Sequence, residues 1–553
     1  MTRPFLLAWL GFSLLALLFY SGHRHLTDED ITFAAARALQ PQSSLNYDDD
    51  IGLVANPSLA ARYHYGLLTL WGTAVTMFVS PWLAMLALLG VMATVYVLPW
   101  LLIVLPLGLL LYRRWFSAEA AARIARRLPR QLTALLASLA VAWTLALLFA
   151  SFHLMPLHLL LFGVTAACCH QLALRAGCTP RRALAAALLA CASSSLLVWS
   201  EFIKDEIYGV AALAGALTAF AAARPHVAAL CLVLALFAKP ALIVATLPLA
   251  FAARERRQTL LCLFAVLAAA GAIGTHNLVR FGAMAGGYQQ LLPTGQPQNF
   301  SFPVWLGLAG HLFSPLRSIF LYNPFLLLVL PVAIARCRRR AATRLEWCAA
   351  IGALAYLLLI SAWTGWEGEV GYANRLALPA VMLGIVFLPA AVRTASRTLL
   401  LLLLLAGFLI NLPGSAWDFV NYYQLPERQQ ALVFAVRQAP LSPPAFQQAG
   451  EMLALGYQAL FTAVPRLLSE SPAMTSAPSV STPLEYHFWL GYPDLWPVYL
   501  FWVPDGFPLA QPAAGLGRRW PGLLLPWCLW CALCLTCLWF CHRLRRLPPP
   551  RAC

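Results

Sequence analysis

The carboxylates of this chain are few and unevenly placed. Asp28, Glu29, Asp30, Asp48, Asp49 and Asp50 fall between positions 28 and 50 and account for six of its 21 acids. A solvated acidic loop is the plain reading of the second triplet. Asp28 and Glu29 differ, because they follow an apolar run from Phe5 to Tyr20 and introduce a helical stretch, Ile31 to Leu39, that would lie along a membrane surface. A carboxylate held at that depth is placed to take a proton from an acceptor hydroxyl. Lysines are rarer still, since of 38 basic residues only Lys204 and Lys239 are lysines. Both sit at turns between apolar segments, where a lysine either snorkels inertly or offers a compact cation to a lipid phosphate. Arg280, Arg317 and Arg375 each begin or end a polar segment, which suits an anionic headgroup as well as plain interface anchoring.

These groups need a scaffold, and composition names its class. The 553 residues are 61% hydrophobic and 11% charged, against roughly 45–50% apolar and about 25% charged in a soluble domain. Apolar runs recur from Phe5 almost to Cys553. The expected fold is an all-α polytopic membrane protein of about 12 transmembrane helices. The net charge of +17 is scattered between apolar segments rather than gathered into a basic domain, so nucleic acid is not an expected partner.

Arg3 and the run after it read as an uncleaved signal anchor entering from the cytoplasm. Basic clusters then fall at 113–130, 175–182, 224, 254–257, 336–344, 393–397 and 543–551, and the positive-inside rule fits all of them with one alternating path. On that path the cytoplasmic side holds 25 of the 38 basic residues and 3 of the 21 acids. Residues 1–412 form the transmembrane domain with outer loops at 21–65 and 277–317. Residues 413–521 form a small, aromatic-rich extracytoplasmic domain, and 522–553 a last helix with a basic tail. Residues 66–112 are expected to cross once, with an interfacial or re-entrant piece near Pro81. Residues 226–252 are too few for two full spans, so a short hairpin with Lys239-Pro240 at its tip is expected. The cysteines avoid the outer segments, which excludes a disulfide framework there, and the Cys528–Cys541 series reads as a small-residue stripe on a membrane helix.

No nucleotide-phosphate loop, dinucleotide fingerprint or metalloprotease helix occurs. A different series of short motifs does. Thr27-Asp28-Glu29 precedes Ala34-Ala35-Ala36-Arg37-Ala38-Leu39; Arg62-Tyr63-His64-Tyr65-Gly66 leads back toward the membrane; Trp199-Ser200 leads to Asp205-Glu206-Ile207; and Ala238-Lys239-Pro240 forms the next turn. Then come Asn277, Arg280-Phe281-Gly282, Gly287-Tyr288, Phe302-Pro303, Leu312-Phe313-Ser314-Pro315 with Arg317, and Phe320-Leu321-Tyr322-Asn323-Pro324. Trp363-Thr364-Gly365-Trp366 and Gly371-Tyr372-Ala373-Asn374-Arg375, with Pro379, complete it. In order and in predicted side, the series resembles the GT-C-fold glycosyltransferases that use polyprenyl-phosphate-linked sugars, the group containing protein O-mannosyltransferases and the aminoarabinose transferases of lipid A. It differs in His64, where a lysine is common, and in Asn374, where a proline is commoner.

The resemblance implies a GT-C-like fold and an inverting, single-displacement transfer of a sugar from a polyprenyl-phosphate carrier to an extracytoplasmic glycan, lipid or protein. Asp28 would be the general base, with Glu29 as the alternative. Arg280, Arg375, Lys204 and Lys239 would bind the phosphate, Tyr63 and His64 would contact the headgroup, and Glu206, Arg317 and Tyr372 complete the substrate-binding set. No metal site or cofactor is expected; a divalent ion on Asp28, Glu29, Asp30 and Glu206 is the less favoured alternative. The implied location is a bacterial inner membrane, multi-pass among its lipids, with a cytoplasmic N-terminus and an outward-facing site. Rival readings are a lipid-linked sugar flippase and a non-catalytic membrane scaffold that binds glycans through residues 413–521.

Overall fold

The computed structural model describes residues 2–20, 157–202, 204–281, 284, 300–368, 371–416, 439–469 and 525–547. Asp28, Glu29, Tyr63 and His64, the 66–131 segment and most of the proposed 413–521 domain lie outside them. Among the described residues every regular element is helical. In chain order these are α1 (Arg3–Phe19), α2 (Leu157–Arg175), α3 (Pro180–Ala187), a π-helical turn (Leu188–Ala192), α4 (Ser195–Trp199), α5 (Asp205–Ala221) and α6 (Pro225–Ala238). A 3-10 turn (Pro240–Leu242) leads into α7 (Ile243–Ala250), followed by α8 (Arg256–Phe281), α9 (Val304–Phe313), α10 (Ile319–Tyr322), α11 (Leu326–Arg338) and α12 (Arg344–Ser361). Last come α13 (Leu378–Gly384), a 3-10 turn (Ile385–Phe387), α14 (Leu388–Thr394), α15 (Arg397–Ala416), α16 (Pro443–Ser469) and α17 (Leu525–Arg545). Among the described residues four helices, α2, α8, α12 and α15, are long and apolar enough to cross a membrane. The chain is therefore a helical protein of membrane type.

Local chemistry sets the helix ends. After α2 the chain turns through Gly177 at φ +82°, with Gly177 N–H donating to Leu174 O (3.0 Å) and Cys178 N–H to Ala173 O (3.0 Å). That is a Schellman stop, and glycine supplies the left-handed residue it needs. Thr179-Pro180 then restarts the helix, the threonine oxygen accepting from Arg182 N–H. At the start of α12, Thr343 and Glu346 form a reciprocal capping box, and Glu346 also takes Arg336 at 2.9 Å.

The helices alternate between two ends. Trp9 donates to Leu160 O (3.0 Å) and Gln171 to Thr2 (2.9 Å), so α1 and α2 are antiparallel and Arg3 lies at the Arg175 end. Trp530 donates to Leu18 O (2.8 Å), which sets α17 antiparallel to α1 and returns Arg543 and Arg545 to that same end. Arg393 donates to Ala176 O (2.8 Å) and Arg182 to the carbonyl of Arg393, tying two more basic turns together there. Cys262 reaches Pro225 O (3.9 Å), so the basic turns at 224 and 254–257 join them. The sequence-predicted hairpin is present: α6 and α7 run out and back, neither of spanning length, and extended Lys239 (φ −148°, ψ 108°) precedes Pro240 at the tip. A residue before proline is pushed out of the helical region, which is why α6 stops there.

Apolar side chains fill the core and also cover much of the outside. Phe264, Leu267, Leu401, Leu402, Leu535 and Leu538 face outward, while alanines, glycines and serines fill many of the seams. Apolar tails solvate leucine as well as a protein core does, so close backbone approach and hydrogen bonds decide the packing. Gly163 shows the tolerance: a methyl there would lie 2.0 Å from Ser13 Oγ and 2.5 Å from Trp9 O.

One traverse, from α3 through the π-helical turn to α4, is broken, and side chains satisfy its freed backbone. Ser193 and Ser194 donate to Leu189 O (3.0 Å) and Ala190 O (2.7 Å). Asn323 Oδ1 accepts from both the Ser195 amide (3.2 Å) and hydroxyl (3.0 Å). Asn411 donates to Tyr322 O and Gly407 O, each at 2.8 Å. Two interrupted stretches of chain and the continuous helix α15 thus meet in one buried polar seam.

Candidate functional site

At the end opposite the basic turns, four separated stretches of chain converge. Glu206 enters on the first turn of α5, where the helix dipole favours an anion, and is 4% exposed. Its Oε1 accepts Lys239 Nζ at 2.5 Å, from the tip of the α6–α7 hairpin. Tyr356, buried on α12, lies beside Lys239. Arg375 follows from the 371–377 loop, its charge acting on Glu206 and its guanidinium 5.8 Å above the Trp199 ring. Burial works against the Lys239 charge, but Glu206, helped by Tyr356 and Asp205, outweighs it, and the pKa is raised above the ordinary lysine value.

Beneath this layer the 371–377 loop is fastened from several directions. Arg317, fully buried, donates to Gly371 O (2.5 Å), Ala373 O (3.1 Å) and its neighbour Leu316 O (3.2 Å). Trp199 donates to Tyr372 O (3.0 Å), and the Tyr372 hydroxyl donates to Ile410 O. Asn374 Nδ2 donates to Arg317 O (3.1 Å) and meets His311 Nδ1, while Asn374 Oδ1 accepts from Ala377 N–H (3.1 Å). An amide donor opposite Nδ1 leaves the His311 ring proton on Nε2. These ties hold Ala373 at φ +59°, a left-handed conformation that alanine rarely adopts.

The sequence-predicted residues divide into two groups. Glu206, Lys239 and Arg375 come together as one charged cluster, and Lys204 is buried at the N-cap of α5 beside it in sequence. Arg317 and Tyr372 are fully buried, and both donate to backbone carbonyls that tie the 371–377 loop in place. Arg280 falls on the last turn of α8. Tyr356 and His311 were not singled out from sequence, and their signal is a lone polar ring in an otherwise apolar helix. Among the described residues no group of three or more His, Cys, Asp or Glu side chains gathers as metal ligands.

Chemically, one buried carboxylate contacts one cation and feels the charge of a second from another element; an indole face lies under the second and a phenol beside the first. Comparison with protein-family models, with curated proteins and with solved structures finds no match to this chain.

Proposed function

We propose that this chain is an inverting glycosyltransferase that moves a sugar from a polyprenyl-phosphate carrier to an extracytoplasmic acceptor, with a GT-C-like arrangement of about 12 spans. On this reading the basic end faces the cytoplasm and the Glu206–Lys239–Arg375 end faces outward, as positive-inside asymmetry demands. One observation carries the proposal: Glu206, Lys239 and Arg375, named from three separate sequence motifs more than 30 residues apart, meet in one cluster.

In the transfer, the bond between C1 of the sugar and the phosphate oxygen breaks as the acceptor oxygen bonds to C1 from the opposite face. The acceptor proton passes to Asp28. Cleavage turns a phosphodiester into a monoester with more negative charge, so cations at the phosphate favour the transition state. Lys239 and Arg375 have that role, and Trp199 holds Arg375 in place. A flippase is less well supported, because it calls for charges at the bilayer midplane, whereas here they gather at one end.

The test supplies purified protein with polyprenyl-phosphate sugars and envelope acceptors and measures release of polyprenyl phosphate. Release that requires Lys239 and Asp28 is expected, and absence of release with every donor would sink the proposal.

A further inference from the structure

The charges in this cluster raise a question the transfer alone does not answer. A site for phosphate has reason to hold cations, yet here the best-defined cation already has a partner. Glu206 is buried, anchored at a helix N-terminus, and in contact with Lys239 at 2.5 Å, and it also feels the charge of Arg375. The Lys239 side chain is 19% exposed against 5% for Glu206, and Arg375 is half-buried. Both cations therefore keep more exposed surface than the carboxylate that acts on them. Lys239 has a flexible stem and three donors, of which Glu206 Oε1 takes one.

Resting on the phosphate reading above, we infer that Glu206 is a resident counter-anion that sets which phosphate the site prefers, weakening the monoester product more than the diester donor. Without Glu206, two cations at a buried position would carry a large desolvation cost and would hold a dianion most tightly. With it, the site has room for about one further negative charge. A phosphodiester carries one, whereas a phosphate monoester carries about −1.5 to −2 at pH 7. The extra charge of the monoester must be held next to a fixed carboxylate that cannot withdraw, since the helix start positions it. The carboxylate thus favours departure of the spent carrier and keeps the cations ordered when the site is empty.

The experiment compares binding of a short-chain prenyl monophosphate and a dialkyl phosphate diester to detergent-purified full-length protein by calorimetry. Wild type should bind the diester at least as well as the monoester; a monoester bound about tenfold tighter, a 1.4 kcal/mol preference, would overturn the inference. Glu206→Gln keeps the shape and an oxygen for Lys239 but removes the charge. It should tighten monoester binding about tenfold and diester binding about threefold or less, the direction expected when a like charge is removed. Glu206→Asp, which keeps the charge, should not tighten either. A merely structural Glu206 predicts weaker binding of both ligands in the Gln variant, which also overturns the inference while leaving the phosphate site standing if Lys239→Gln abolishes wild-type binding. Lack of any Lys239-dependent binding by wild type would overturn both readings.

Discussion

Replacing Arg317 by methionine probes the support of the site rather than its surface. Methionine keeps much of the aliphatic stem and removes the guanidinium, which now donates to Gly371 O at 2.5 Å and Ala373 O at 3.1 Å. Hydrogen bonds from a charged donor contribute about 1.5–3 kcal/mol each, so two lost loop ties amount to roughly 3–6 kcal/mol gross. Removing a fully buried charge returns part of this, leaving a net destabilisation of about 2–4 kcal/mol. The loss should be local first. With its carbonyls released, Ala373 has little reason to stay at φ +59°, and Arg375 and the Trp199 contact should loosen before the bundle does. Thermal unfolding followed by tryptophan fluorescence reads the global term, and limited proteolysis across 363–377 reads the local one. Arg317→Lys should recover only part of the loss, because one ammonium lacks the planar fork that spans two carbonyls. If Arg317→Met unfolds within about 0.5 kcal/mol of wild type and resists protease equally, the latch account of the loop is wrong.

Four further outcomes are expected. Gly310→Leu should prevent α9 from seating, since even a Cβ at Gly310 would lie 2.0 Å from the Trp366 ring; loss of monodisperse protein in detergent reports it. Thr343→Ala removes half of the capping box and should lower stability by about 1 kcal/mol, read as a modest drop in the unfolding temperature. Lys239 has a folded pKa above its ordinary 10.5, so the stabilisation from its ion pair is fully present below that pH and lost only as pH rises through the higher folded value; stability measured from pH 7 to 10 should show no loss traceable to Lys239→Gln-sensitive contacts. Asp28→Asn should leave expression intact and abolish sugar transfer, and a transfer rate equal to wild type would remove Asp28 as the base.

Much of this was legible in the sequence where one strong force acts alone. Apolar length and basic turns mark helices and their ends, and the shortness of 226–252 together with Lys239-Pro240 marks a hairpin, because proline and helix rise leave few alternatives. The gathering of Glu206, Lys239 and Arg375 was legible as a shared side of the path, though not as a contact. The bonds of Arg317 to the 371–377 loop were not legible: in sequence an arginine after Ser314-Pro315 looks the same whether its donors meet a phosphate or two backbone carbonyls, since both offer oxygen acceptors. Tyr356 shows in sequence only as a polar ring among apolar residues, and it is the fold that brings it across to Lys239.

The polar seam also bears on how the chain is made. Ser195 waits for a partner 128 residues further on, and Tyr322 for one 89 residues beyond it. Segments emerging from a ribosome enter the bilayer in order, so the interrupted stretch around Ser193 must be delivered before Asn323 exists to complete it. In lipid an open amide or carbonyl is costly, so until then the segment needs a wetter holding place, such as the insertion machinery or the headgroup layer. Release of the broken span into the membrane should therefore be late, triggered by synthesis of the chain through Asn323. Truncations ending before Asn323 should leave residues 188–199 accessible to water-borne thiol reagents at Cys191, and extensions past it should protect them.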